Sequence, residues 1–139
     1  MAKSPLNQPL LTSEELRARL GELYAAIDQF NRGWYFESHE TLEDLWMVTP
    51  LPERTLMQGV IQLAAAFVHF ARGEYPGIFK LLNAATEKLS EFAPSALGID
   101  IAALLPSIAR ARADLAALGP DGFTAWDDRG GLPRVSYRQ

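Results

Sequence analysis

One short pattern, Phe-x-Arg-Gly-x-Tyr, occurs twice in this chain, at residues 30–35 and again at residues 70–75, an offset of 40. A glycine in that setting suits the left-handed residue that ends a helix. The flanking segments keep step with it. Leu16 matches Leu56, Leu23 matches Leu63, Ala25 and Ala26 match Ala65 and Ala66, and Leu42 matches Leu82 at the same offset. The implied unit is two antiparallel helices joined at an Arg-Gly turn, present twice. Two copies predict a small compact array rather than an extended solenoid.

The apolar spacing is helical along most of the chain. Thr12-Ser13-Glu14-Glu15 reads as a capping box, with Glu15 three residues after the cap. Leu16, Leu20, Leu23, Tyr24, Ile27 and Phe30 then carry a first helix to the Arg-Gly turn. A second covers about residues 34–47 and stops before Pro50 and Pro52. A third starts near Glu53 and reaches Arg72 and Gly73, and a fourth runs from Pro76 to about Phe92. Residues 94–98 read as a connector. Asp100 caps a fifth helix that ends at Gly119, and Pro106 inside it predicts a kink or a short helix followed by a longer one. From Pro120 onward, Gly122, Gly130, Gly131 and Pro133 exclude regular helix, yet Phe123, Trp126, Leu132, Val135 and Tyr137 predict a tail packed on the body. The expected fold is all-α: an N-terminal arm (1–11), one helical domain of about five helices in two hairpins plus a closing helix (12–119), and a C-terminal tail (120–139).

Composition narrows the function. The chain has 139 residues, enough for one domain, and 48% hydrophobic residues, too many for a disordered chain. A net charge of −4 leaves no nucleic-acid footprint, which needs clustered Lys and Arg. Without cysteine there is no disulfide, no thiolate nucleophile and no Cys-based zinc site. The longest uncharged stretch, residues 55–71, holds Gln58, Gln62 and His69 and falls short of the roughly 20 apolar residues of a membrane span. No signal-peptide pattern opens the chain, so a cytoplasmic, bacterial-type protein is the expectation.

The only two histidines, His39 and His69, fall in telling places. On a wheel with His39 at zero, Trp46 lies about 20° to one side, with Glu43 about 40° and Phe36 about 60° to the other. Tyr35 and Leu42 complete an arc that places His39 and Glu43 in its middle, Glu40 at its edge, and Glu37 and Asp44 opposite. In the second repeat copy the equivalents of His39 and Glu43 are Phe79 and Asn83, so the repeat does not demand polar groups there. On the third helix, Gln58, Gln62, Ala65 and His69 fall within about 60° of one another. A solvated strip normally carries Lys, Glu, Asp or Arg, and this one has none of these between its ends. Short pairing of the two helices brings His39 and Glu43 toward Gln62 and His69.

Three readings of that cluster compete. In the first it is a buried hydrogen-bond network, with Glu43 accepting from an imidazole and the amides satisfying the rest, in a helical-repeat module for partner proteins. In the second it is a divalent metal site for zinc, manganese, iron or nickel, with His39, Glu43, His69 and Glu40 as ligands and Glu37 near. As an enzyme, that would be a metal-assisted hydrolase with Glu40 as base. In the third it is a pocket for a small polar ligand, lined by Gln58 and Gln62 and walled by Trp34, Tyr35, Phe36 and Trp46. Ser38 points about 100° from His39, which removes a nucleophile–base pair, and no phosphate-binding glycine loop occurs. The expected partners are thus a metal ion or a small polar ligand, with neither nucleic acid nor membrane, and a homodimer open.

The composite pattern Phe30-Asn31-x-Gly33-x-Tyr35-Phe36-Glu37-x-His39-Glu40-x-Leu42-Glu43-x-x-Trp46, followed by Gln58-Gly59-x-Ile61-Gln62-x-Ala64-Ala65-Ala66 and His69-Phe70, resembles domain-of-unknown-function family number 309. That family's hallmark, H-x-x-x-E-x-x-W/Y, is met by His39, Glu43 and Trp46. The likeness covers about residues 16–89. It implies a small all-helical fold and a hallmark for which metal binding has been proposed, and it implies no reaction.

Overall fold

The two Arg-Gly turns close alike. At the first, Gly33 (φ 86°) donates its N–H to Phe30 O at 2.9 Å and Trp34 donates to Gln29 O at 2.9 Å. At the second, Gly73 (φ 73°) donates to Phe70 O at 3.1 Å and Glu74 to His69 O at 2.9 Å. Both are Schellman caps, which need a left-handed residue at the glycine position. Each turn therefore ends one helix and starts the next at an offset of 40, as the motif predicts.

The computed structural model describes residues 9–126 and 131–139. Residues 1–8 of the N-terminal arm, and Gly130 with residues 127–129 of the tail, lie outside the described residues. The elements are α1 (Ser13–Ala18), α2 (Leu20–Asn31), α3 (Tyr35–Trp46), α4 (Glu53–Ala71), α5 (Tyr75–Ser90), β1 (Ser95–Ala96), β2 (Ile99–Asp100), α6 (Ile101–Gly122) and a 3₁₀ turn at Phe123–Ala125. The fold is all-α apart from the hairpin of β1 and β2, two residues in each strand. From α2 to α6 each helix packs on the next, so α2–α3 and α4–α5 are the repeated hairpins and α6 closes the array. None of the described helices is long and apolar enough to cross a membrane.

The core repeats with the turn. Leu23 and Leu63, Ala26 and Ala66, and Leu42 and Leu82 are equivalent pairs, and every member is fully buried. Phe67 of α4 sits at the centre, meeting Phe30 at 5.9 Å and Tyr35 at 5.5 Å between ring centroids. Burying such a ring contributes about 1.5–3 kcal/mol by transfer alone.

Three local expectations are revised. The first helix is two pieces, because Arg19 (φ −108°, ψ 7°) leaves helical geometry while its guanidinium pairs with Glu22 at 2.7 Å. A one-residue irregularity barely rotates the apolar face, so the periodicity runs across it unbroken. Pro106 does not interrupt α6. It lies on an exposed face of the helix with Ala102, one turn before it, also exposed, and the break falls instead at Gly119 (φ 76°). Helical turns then resume at Pro120. Residues 94–98 form more than a connector: Leu97 (φ 49°) and Gly98 (φ 82°) make the turn of the β1–β2 hairpin, with Ser95 opposite Asp100.

The described tail lies along α2. Asn31 holds Val135 by two bonds, Nδ2 to O at 2.9 Å and N to Oδ1 at 3.0 Å. Tyr137 stacks on Tyr24 with centroids 4.5 Å apart and donates its hydroxyl to Asp28. Trp126 packs on Phe67 and Phe70.

Candidate functional site

The buried side chains of α3 are Tyr35, Ser38, Leu42 and Leu45. With His39 at zero these fall near −40°, −100°, −60° and −120°. The buried arc is thus centred well to one side of His39. His39 lies at its margin, half-buried, and Glu43 is exposed. This corrects the expectation that both occupy the middle of the arc. Phe36 drew the expected arc too far round, since its ring is 50% exposed. Ser38 drew it too little: its hydroxyl is fully buried and donates to Ala26 O at 2.7 Å, letting α2 and α3 approach closely.

α4 presents the complementary strip. Gln58, Gln62, Ala65 and His69 are all half-buried, and its core face (Leu56, Val60, Leu63, Phe67) lies opposite. Arg54 and Arg72 extend the same row by one turn at either end. Because α3 and α4 join through residues 47–52, they run antiparallel, and the start of α3 meets the end of α4. There a pocket of about 190 Å³ is lined by Phe36, His39, Ala65, Val68, His69 and Arg72. A neighbouring recess of about 220 Å³ shares Phe36, Val68 and Arg72 and adds Tyr35, Glu37 and Ala71. At the other end of the seam the Arg54 guanidinium lies 4.1 Å over the Trp46 ring.

The seam concentrates polar atoms that are buried without a hydrogen-bond partner. Among the described residues five side-chain atoms have this character, and four belong to α3 and α4: His39 Nδ1, Trp46 Nε1, Gln62 Oε1 and His69 Nδ1. The fifth, Gln29 Oε1, occupies the repeat position equivalent to His69. His69 Nδ1 does approach Glu74 Oε1 at 2.8 Å, but the carboxylate lies off the line of a ring N–H. The imidazole also covers Gly77, where a Cβ would stand 2.6 Å from Nδ1. His39 stacks beside Phe36, centroids 6.5 Å apart and planes within 14°.

The sequence-derived site residues separate accordingly. His39 and His69 share one pocket. Gln58 and Gln62 stand in line with it on α4, Trp46 lies at the far end under Arg54, and Tyr35 is buried against Phe30 and Phe67 with one side on the recess. Glu43 and Glu40 are exposed and do not join the histidines. The four do not form a ligand set, and no three His, Asp or Glu among the described residues gather to hold a metal ion. Two imidazoles fall short of the three or four protein ligands of a zinc site. The buried His39–Glu43 network is corrected as well, because an exposed Glu43 has no bond to an imidazole whose Nδ1 is unpartnered. Arg72, Val68 and Glu74 were missed. Arg72 was legible, since it follows His69 by three residues, but its place in the Arg-Gly turn accounted for it.

A larger cleft of about 500 Å³ lies between the β hairpin and the tail, bordered by Ser95, Asp100, Ser136 and Arg138. Its walls are tied together within the chain: Asp100 caps α6 through Ala103 N–H at 3.0 Å, Asp100 N–H bonds Ser136 O, and Arg138 N–H bonds Gly98 O. The α3–α4 pocket is the one whose polar atoms lack partners.

No curated protein and no solved structure gives a significant match to this chain. Residues 23–81, from α2 into α5, match the model of the family described as Domain of unknown function (DUF309), and that segment, which holds the first Arg-Gly turn, His39, Glu43 and His69, is similar to it.

Proposed function

We propose that this chain binds a small polar ligand in the α3–α4 pocket, with His39 and His69 as the groups that hold it. The observation that carries this reading is His39 Nδ1, buried and without a partner in a residue that lines the pocket. A buried donor or acceptor without a partner destabilises the fold by about 1–3 kcal/mol, and folded proteins pair nearly all of theirs. A ligand bringing its own donors and acceptors relieves that penalty, so its binding energy comes partly from atoms the fold leaves open. Phe36 supplies an apolar wall. Thermal denaturation against acetate, phosphate, glutamine and imidazole tests the reading. At least one is expected to raise the melting temperature of the native chain by mass action and to leave His39→Phe unmoved. No shift with any of them, together with a simple gain of stability in His39→Phe, would falsify it.

A second reading takes a divalent ion as the ligand. It is favoured by two imidazoles, His39 and His69, bordering one pocket, since histidine is a common ligand of these ions. Elemental analysis of untagged protein purified without chelators distinguishes the two. Near-stoichiometric zinc, manganese, iron or nickel that disappears in His39→Ala supports the ion, and a metal-free preparation with no thermal response to these metals removes it.

A further inference from the structure

We infer that the binding group of the ligand is an anion, a carboxylate or phosphate held between His39, His69 and Arg72, with an apolar stem lying on Phe36 and Val68. This rests on reading the α3–α4 pocket as a ligand site and adds what kind of ligand it takes.

The lining decides the sign. The pocket is bordered by six residues, of which three are polar, and all three carry ring or guanidinium N–H groups while none is acidic. Arg72 donates from a planar fork matched to the two oxygens of a carboxylate or phosphate. His39 brings an Nδ1 that is buried and unpartnered. His69 has its Nδ1 side against Glu74 and Gly77, which leaves Nε2 as its other polar atom. The nearest carboxylates stand outside this trio. Glu74 faces the α5 side of His69, Glu37 borders only the adjoining recess, and Glu40 and Glu43 are exposed on α3.

The apolar side decides the shape. Phe36 and Val68 border both the pocket and the recess, so one continuous apolar shelf leads away from the N–H groups. The Phe36 ring is 50% exposed, open to a flat stem laid against it. An inorganic anion would use the N–H groups and leave this shelf empty. An organic anion uses both.

The second repeat supplies an internal control. Its Phe79 and Asn83, equivalent to His39 and Glu43, are both engaged by one cation of the chain itself: Arg112 Nε donates to Asn83 Oδ1 at 2.8 Å, and its guanidinium lies 5.5 Å over Phe79. There the cation is spent on the protein. In the first repeat Arg72 borders an open pocket instead.

With only two histidines, ring-proton NMR of the full chain reads the site directly. Benzoate and phenyl phosphate represent the two anion classes, benzamide and benzylamine the neutral and cationic equivalents, and zinc chloride the metal. Benzoate or phenyl phosphate is expected to shift both histidines saturably and to bind at least tenfold tighter than benzamide or benzylamine; whichever is tighter identifies the anion. Arg72→Gln is expected to weaken that binding at least tenfold and to reduce its margin over benzamide. Benzamide binding as tightly as benzoate overturns the anionic assignment and leaves the pocket reading standing. Anion binding indifferent to both Arg72→Gln and His39→Phe overturns the location. Zinc shifting both histidines while the anions shift neither overturns the inference in favour of a metal. If no probe moves either histidine, the inference and the proposed function fail together.

Discussion

Superposing the two hairpins by their shared offset puts His39, Glu43 and Trp46 of α3 over Phe79, Asn83 and Thr86 of α5. In the second hairpin each of these is satisfied within the chain. Arg112 of α6 bonds Asn83 and covers Phe79, and Thr86 Oγ1 donates to Leu82 O at 2.8 Å. In the first hairpin His39 Nδ1 and Trp46 Nε1 are buried without partners, and the next helix leaves a pocket of about 190 Å³ at His39. The turn and the buried leucine and alanine pairs recur in both, so the architecture does not ask for a polar seam. What differs is whether a neighbouring helix fills it.

The deepest contrast between the hairpins is at their centres, where fully buried Ser38 stands over fully buried Ile78. Exchanging each for the other should break the comparison most visibly. Ile78→Ser is expected to lose about 2–5 kcal/mol, through a cavity and a new buried hydroxyl. Ser38→Ile should lose about 1–3 kcal/mol by overpacking and by removing the bond to Ala26 O. Urea denaturation measures both. A neutral Ser38→Ile would show that the α2–α3 crossing has room to spare and that the hairpins pack alike.

The turns should respond equally. Gly33 and Gly73 both hold positive φ, and a Cβ at either meets nothing closer than 3.9 Å. Alanine there adds strain and no clash, about 1–2 kcal/mol at each position. Unequal losses in the same denaturation experiment would mean that the two caps are not mechanically equivalent.

That equivalence was legible in the residues because Phe-x-Arg-Gly-x-Tyr encodes a backbone conformation, and backbone requirements survive as patterns. The helices and their caps at Thr12 and Asp100 were legible for the same reason. The orientation of α3 was not. A wheel assigns faces by hydrophobicity, so Phe36 counted toward the apolar arc although it is 50% exposed, and polar Ser38 did not although it fills a close helix crossing. His39 and His69 were rightly brought together, since antiparallel pairing of α3 and α4 needs only the short link between them. Glu43 was misplaced with the wheel. The role of Arg112 at the second seam was not legible, because no local pattern announces a contact spanning 29 residues.

His39→Phe tests whether the open seam is a defect or a retained feature. It copies the residue of the second hairpin and removes one buried unpartnered nitrogen. The expected result is a gain of about 1 kcal/mol with loss of ligand binding, the pattern of a site held at the expense of stability. Adding Glu43→Asn should change little more, since Glu43 is exposed and has no bond to lose. A loss of several kcal/mol would instead make His39 part of the structural core and put the two seams on the same footing.

The smallest expected effect concerns the end of the tail, where the side-chain hydrogen bonds at Val135 and Tyr137 go to the first hairpin. Tyr24, Asp28 and Asn31 receive it, and their counterparts in the second hairpin are Ala64, Val68 and Ala71, none able to bond it. The hydroxyl of Tyr137 donates to Asp28, and this hydrogen bond to a carboxylate raises the Tyr137 pKa above its ordinary value. The folded state therefore favours the neutral phenol. The stabilisation is fully present below the unfolded tyrosine pKa of about 10 and is lost as pH rises through the higher folded value. Tyr137→Phe keeps the stack on Tyr24 and removes the titrating group. The native melting temperature should lie slightly above that of Tyr137→Phe near neutrality, and the two should converge as pH climbs beyond 10. Parallel curves would mean that the ring stack and the Asn31–Val135 bonds hold the tail by themselves. The first hairpin's claim on the tail would then rest on shape and backbone pairing, with Asp28 adding nothing.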